Sequence, residues 1–173
     1  NGSHGDLTFT AIWTAIQYNI NIFDGVDELP KIFPYTIESG TVVIKIGEST
    51  DTEANYIITM QSDTKTIGIK NIGHRLLGWY EVGDEENIKS AIFISAGEVG
   101  DRYFVAEWEI VDYSITYDLA NGEISQGSNP EKYTVEDADI ILIAPTRTGY
   151  EFIGWINENG ESVSIIFGGS IGD

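Results

Sequence analysis

The sequence predicts a mostly β chain with little helix, built as two small modules in tandem. Three observations carry this. Ile and Val are abundant and aromatics make up 12% of the residues, and branched or flat side chains suit a pleated, half-buried surface. Apolar and polar residues alternate with a period of two in many short stretches, as a strand with one wet face should. Finally, the same stretches occur twice in the same order, and a fixed-offset repeat is the signature of duplicated modules.

The first stretch is Asp6-Leu7-Thr8-Phe9-Thr10-Ala11-Ile12-Trp13, which matches Asp101-Arg102-Tyr103-Phe104-Val105-Ala106-Glu107-Trp108 at an offset of 95. Phe, Ala and Trp fall at every second position, so Phe9, Ala11 and Trp13 share one strand face, as do Phe104, Ala106 and Trp108. At the same offset Tyr18-Asn19-Ile20-Asn21-Ile22 matches Tyr113-Ser114-Ile115-Thr116-Tyr117. Both strands run into turn pairs, Asp24-Gly25 and Asn121-Gly122, which tolerate the positive φ of tight turns.

Next, Tyr35-Thr36-Ile37-Glu38 matches Tyr133-Thr134-Val135-Glu136, each followed by an apolar run, Val42-Val43-Ile44 or Ile140-Ile141-Leu142-Ile143. Gly73-His74-Arg75-Leu76-Leu77-Gly78-Trp79 then matches Gly149-Tyr150-Glu151-Phe152-Ile153-Gly154-Trp155. From Tyr35 to Gly73 is 38 positions and from Tyr133 to Gly149 is 16, so the first copy carries about 22 more, 48–70. Within them, 56–60 and 66–69 read as strands about a polar turn at 61–65, an inserted hairpin. Because the sister copy does without it, the hairpin is expected to be dispensable for folding. The best helix signal is 84–92, with a capping Asp84, Glu85 and Glu86 in the first turn, and Ile88, Ala91 and Ile92 on one face.

These blocks bound the modules. Residues 1–14 read as the closing strand of a preceding repeat, with Asn1-Gly2-Ser3-His4 as a tag-like lead. Residues 15–111 read as one repeat with the inserted hairpin, and 112–173 as a second repeat lacking its closing strand. The junction falls near Val111-Asp112, with about four residues between the flanking strands, too few for free inter-module motion. An unpaired strand on one module and an open edge on the other predict head-to-tail strand exchange between chains, which gives open chains rather than a closed dimer.

The blocks resemble the Listeria–Bacteroides repeat, also known as the B-repeat of internalin-type surface proteins. The likeness is closest in 113–119, in Asn129-Pro130 with 133–136, and in the stretch Ala144-Pro145-Thr146-Arg147-Thr148-Gly149-Tyr150-Glu151-Phe152-Ile153-Gly154-Trp155. The resemblance implies small β-grasp-like modules in long, exported bacterial surface proteins, where they space or assist an adhesive domain. It carries no catalytic residues. The first copy departs from the pattern at His74 and in the hairpin.

Composition narrows function further. There are 9 Lys and Arg against 28 Asp and Glu, a net charge of −19. So negative a surface repels phosphate backbones and anionic lipid heads, which disfavours nucleic acid and membrane partners. The absence of cysteine excludes disulfides, Cys-ligated zinc and thiol catalysis. No stretch reaches the roughly 20 apolar residues of a membrane-spanning helix.

Single residues point the same way. Trp79 and Trp155, each behind a glycine, could stack on a sugar but more simply fill a small core, as do Trp13 and Trp108. His74 stands where the sister copy has Tyr150 and reads as a packing residue. The acids Glu136, Asp137 and Asp139, and Asp84, Glu85 and Glu86, lack the spacing of a calcium loop and read as solvated. No nucleophile elbow, zinc-protease helix or phosphate loop occurs. The expectation is a non-catalytic extracellular module without cofactor, metal or assigned binding residues, acting as spacer, stalk or accessory adhesion module. Its partners would be a host or cell-surface protein or glycan. The alternative is a carbohydrate- or protein-binding module, which requires a coplanar pair of exposed aromatics.

Overall fold

A computed structural model of the chain describes residues 8–61 and 63–172. The tag-like start, Leu7 of the expected closing strand, Ser62 and Asp173 lie outside the described residues. The described chain is all β, with no helix among the described residues.

The first module is two four-stranded sheets. One joins β1 (Tyr18–Phe23), β2 (Lys31–Tyr35), β6 (His74–Glu81) and β8 (Arg102–Ile110), in the order β2-β1-β8-β6. β1 and β8 run parallel at its centre, and the outer pairings are antiparallel. The other joins β3 (Val42–Ser49), β4 (Ala54–Met60), β5 (Asp63–Ile69) and β7 (Ala91–Ile94), in the order β5-β4-β3-β7. Their inner faces meet in one core. Ile20, Ile22, Phe104 and Trp79 from the first sheet and Val42, Ile44, Tyr56, Ile58 and Ile94 from the second are all buried. Alternation puts every second residue there, as in β4, where Ala54, Tyr56 and Ile58 point inward. Tyr56 bridges the sheets, with its ring 6.3 Å from Phe33 and 5.7 Å from Trp79, edge-on to both.

Two expectations need correction here. The hairpin is present, as β4 and β5, but it is not a dispensable appendage. β4 pairs with β3 along its length and supplies three core residues. The 84–92 stretch is not a helix. Trp79 and Lys89 exchange both backbone hydrogen bonds, at 3.0 and 2.8 Å, and Ile92 and Ile94 alternate into β7 against β3. Pairing along a strand edge satisfies this backbone and buries both isoleucines, which outweighs the local helix propensity.

The second module repeats the plan in shorter pieces. β9 (Tyr113–Ser114) pairs with β10 (Lys132–Tyr133), β11 (Ile140–Ile141) with β14 (Ile165–Ile166), and β12 (Trp155–Ile156) with β13 (Ser162–Val163). The sequence match survives in space. Tyr18 pairs with Tyr35 and Tyr113 with Tyr133, their rings 5.9 and 5.3 Å apart. Trp79 bridges Lys89, and Trp155 pairs with Val163. The Tyr35 hydroxyl donates to the Gly100 carbonyl and the Tyr133 hydroxyl to the Gly172 carbonyl, each at 2.5 Å. No counterpart of β4, β5 or β8 exists among its described residues.

Two residues, Val111 and Asp112, separate β8 from β9, and the seam around them is bonded. Val111 N–H donates to the Gly73 carbonyl at 2.9 Å, and the Tyr113 hydroxyl donates to Asp51 at 3.0 Å. Gly73 (φ 74°) lies so close to Val135 that a β-carbon there would come within 2.1 Å of it.

Residues 8–17 form no strand, and Phe9, Ile12 and Trp13 are about nine-tenths exposed. Trp13 therefore departs from the core position its pattern predicts: no described strand pairs with its segment.

Candidate binding groove

The first module's polar side chains are spent on structure. Asp24 is buried. Its carboxylate pairs with Lys31 and accepts the N–H groups of Val26 and Asp27 at 3.0 and 2.9 Å. Burial alone would push this carboxyl up, but the bonds from Lys31 and from those two amides hold it below its ordinary range. Arg102 grips Glu81 with two guanidinium nitrogens at 2.6 and 2.7 Å and Glu98 with a third at 2.6 Å. The Arg102 hydrogen bonds hold Glu81 below the usual carboxylate range, and the Ser95 N–H does so for Glu98 ahead of the same arginine. This network was missed in the sequence. Its one signal is that Arg102 replaces Leu7 of the matching block.

The acidic clusters are turn caps. Asp137 accepts the Thr134 N–H at 2.7 Å, Asp139 the Gly168 N–H at 2.8 Å, Glu85 the Gly83 N–H at 3.0 Å and Asp84 an Asn87 side-chain N–H at 3.2 Å. Among the described residues no three His, Cys, Asp or Glu side chains are gathered so as to hold a metal. His74 lies at the seam. Its Nδ1 is 3.0 Å from the Ile72 carbonyl, and its Nε2 is 3.5 Å from Glu136 of the second module.

The tryptophans divide. Trp79 is fully buried, and Trp108 is half-buried, its indole N–H donating to the Asp24 carbonyl at 2.7 Å. Trp155 lines a groove of about 1280 Å³ that crosses the second module. One wall is 114–120 and the other 150–159, with Leu142, Val163, Ile165 and Ile166 among the residues beneath. Trp155 is flanked by Tyr117 and Phe152, with ring centres 5.6 and 5.5 Å away. Burial raises the Tyr117 hydroxyl above its ordinary range, and that hydroxyl donates to the Pro130 carbonyl at 2.9 Å. At one rim the Arg147 guanidinium stacks 3.9 Å over the Tyr150 ring. Asp118 caps the Ala120 N–H at 2.8 Å. The groove thus sets the aromatic cluster of Trp155, Tyr117 and Phe152 among polar side chains that include Thr116, Asp118, Glu151 and Asn157. Sequence reasoning assigned no binding residues and did not find it.

Residues 113–172 match the family model of the Listeria-Bacteroides repeat domain, which bears out the resemblance for the second module. A protein of Evansella cellulosilytica titled "Putative membrane protein" is 29% identical over 110 residues, covering 62% of this chain. The match spans 15% of that protein's length. No solved structure matches the chain. Among the described residues no helix is long and apolar enough to cross a membrane.

Proposed function

We propose that the chain is a non-catalytic repeat segment of a bacterial cell-surface protein, displayed outside the cell and serving as a stiff spacer beside an adhesive domain. The seam carries this reading. Only Val111 and Asp112 separate the flanking strands, Val111 is tied back to Gly73 within the first module, and the bond from Tyr113 to Asp51 crosses the seam. A hydrogen-bonded two-residue link transmits orientation where a flexible linker would not. The family match of the second module and the similarity to a small part of a much longer protein support the same placement. The fold of the first module is read as β-grasp-like, on the order β2-β1-β8-β6 with its central parallel pair, a second sheet lying where that fold carries a helix.

A sugar-stacking role is the weaker reading. Trp79 is buried, and the rings beside Trp155 stand at 62° and 66° to it rather than coplanar. Small-angle scattering tests the spacer. The expected profile is that of one rigid particle, unchanged from low to high salt. A profile requiring independently tumbling halves overturns it.

A further inference from the structure

The first copy departs from the repeat pattern at His74 and in the residues added at 48–70, and both departures meet the second module. Asp51, among the added residues, accepts the Tyr113 hydroxyl at 3.0 Å. His74 begins β6 opposite Ile110 of β8, and its ring lies between two oxygens. Nδ1 is 3.0 Å from the Ile72 carbonyl and Nε2 is 3.5 Å from the Glu136 carboxylate. Both oxygens are acceptors. A neutral imidazole carries one N–H and one bare lone pair, so it can donate to only one of them. With the proton on Nδ1 for the nearer carbonyl, the Nε2 lone pair faces a carboxylate. Only the imidazolium donates on both sides. The side chain is 19% exposed, so little water reaches this mismatch.

The other charged groups of the seam are already engaged. Arg75 of the same strand pairs with Glu109 of β8 at 3.6 Å, and Lys132 pairs with Asp112 at 3.2 Å. Asp51 holds Tyr113, and Asp137 caps Thr134. Among the described residues the Glu136 carboxylate meets His74 alone. We propose that His74 is a pH-responsive clasp between the modules: in weakly acidic surroundings its imidazolium ties the Ile72 carbonyl to Glu136 and tightens the docking of the second module on the first. As pH rises the Nε2 proton leaves, and the arm that crosses the seam is lost. Imidazole is the side chain whose ordinary titration falls between pH 5 and 8, and carboxylates ordinarily stay ionised across that range. The Tyr113–Asp51 bond and the packing of Val135 on Gly73 hold at either pH. The clasp therefore goes beyond the spacer reading, and a seam indifferent to pH would leave the spacer standing.

Hydrogen exchange of the whole chain tests it. The Gly73 amide is buried beside Val135, and its protection, corrected for the intrinsic pH dependence of exchange, reads how often the modules part. Protection is expected to be about two- to five-fold higher at pH 5.5 than at pH 8, the size of a partly exposed ion pair. Glu136→Gln levels this ratio; the Glu136 side chain is 72% exposed, so the change does not report unfolding. His74→Tyr, which carries the sister copy's residue at Tyr150, levels it too. Long-range nitrogen–proton spectra give the state of the ring, and His4, the one other histidine, is identified by its survival in His74→Tyr. Two ring N–H groups are expected at pH 5.5, and a proton on Nδ1 alone at pH 8. A wild-type ratio of one overturns the proposal, as does a ratio that survives either variant. A ratio shared by core amides such as Ile44 overturns it, because the whole module then responds. So does a ring that keeps its single proton on Nε2 at pH 8.

Discussion

The two modules share a plan and differ in closure. Both keep the tyrosine pair at the first hairpin, the tryptophan bonded across the Gly-Trp strand, and the tyrosine hydroxyl bound to a glycine carbonyl. Yet every residue of the buried hydrophobic cluster belongs to the first module, while the second buries Tyr113, Tyr133, Asn129 and Pro145. Among the described residues the difference lies in β8 and in the inserted hairpin. β8 completes the first module's sheet from within, and β4 and β5 extend a second sheet that roofs it.

Excising the hairpin is the severest way to break the comparison. If β4 is core, replacing 50–70 with a short Gly-Ser turn removes Tyr56 and Ile58 and strips β3 of one neighbour. The expected outcome is loss of the cooperative unfolding transition of the first module, seen in urea titration by circular dichroism. A retained sharp transition would show that the second module's plan suffices alone.

Paired tryptophan substitutions sharpen it. Trp79→Ala empties a fully buried site and is expected to cost about 3–5 kcal/mol. Trp155→Ala removes a side chain already open to the groove, and about 1–2 kcal/mol follows from the smaller area withdrawn from water. Native-state hydrogen exchange reads each module separately. Equal costs would mean that the groove is closed in solution.

How much of this was legible in the sequence depends on what each element answers to. The strands were, because Ile20 and Ile22 alternate with Asn19 and Asn21, and Val42-Val43-Ile44 is a short branched apolar run of the kind a buried strand carries. The junction was, because Val111 and Asp112 separate two well-marked blocks. The hairpin's role was not. Comparing copies treats whatever both share as core, and Tyr56 has no counterpart in the second. Its own alternation with Asn55 and Ile57 marked a buried face, but not which sheet it would roof. The 84–92 stretch misled because helix signals are local, whereas its fate is set by Trp79 and β3, elements earlier in the chain. The groove was not, because Trp155 reads as core filling and its pattern says nothing of the space beside it.

A glycine pair offers a finer cut. Gly78 and Gly154 precede the two tryptophans with φ of 157° and 150°. At Gly78 an added β-carbon would lie 2.3 Å from the Lys89 carbonyl oxygen, while at Gly154 nothing lies within 4 Å. Gly78→Ala must push apart the backbone that bonds Trp79 to Lys89, at an expected cost of about 3 kcal/mol. Gly154→Ala meets only the backbone preference, about 1 kcal/mol. Thermal unfolding of the two variants gives the ratio, and parity would argue that Val163 crowds Gly154 as Lys89 crowds Gly78.

The smallest expected effect separates the modules by acid. Asp24, Glu81 and Glu98, all in the first module, have carboxyls held below their ordinary range. A carboxyl whose pKa is lower folded than unfolded binds protons more readily when unfolded. Its contribution is therefore complete above the unfolded value of about 4 and is lost as pH falls through the lower folded one. The first module should keep a level stability from neutral pH down to about 5 and then weaken. Neutralising much of the −19 charge over the same range relieves repulsion and works against that loss, so the wild-type slope alone is a poor gauge. Asp24→Asn isolates the effect. The amide oxygen can still accept from Val26 and Asp27, but the pairing with partly exposed Lys31 goes, at about 1 kcal/mol near pH 7. As pH drops the wild type loses its advantage and the variant does not, so their urea midpoints should converge by about pH 3. Curves that stay parallel would mean that Asp24 acts through hydrogen-bond geometry and not through its charge.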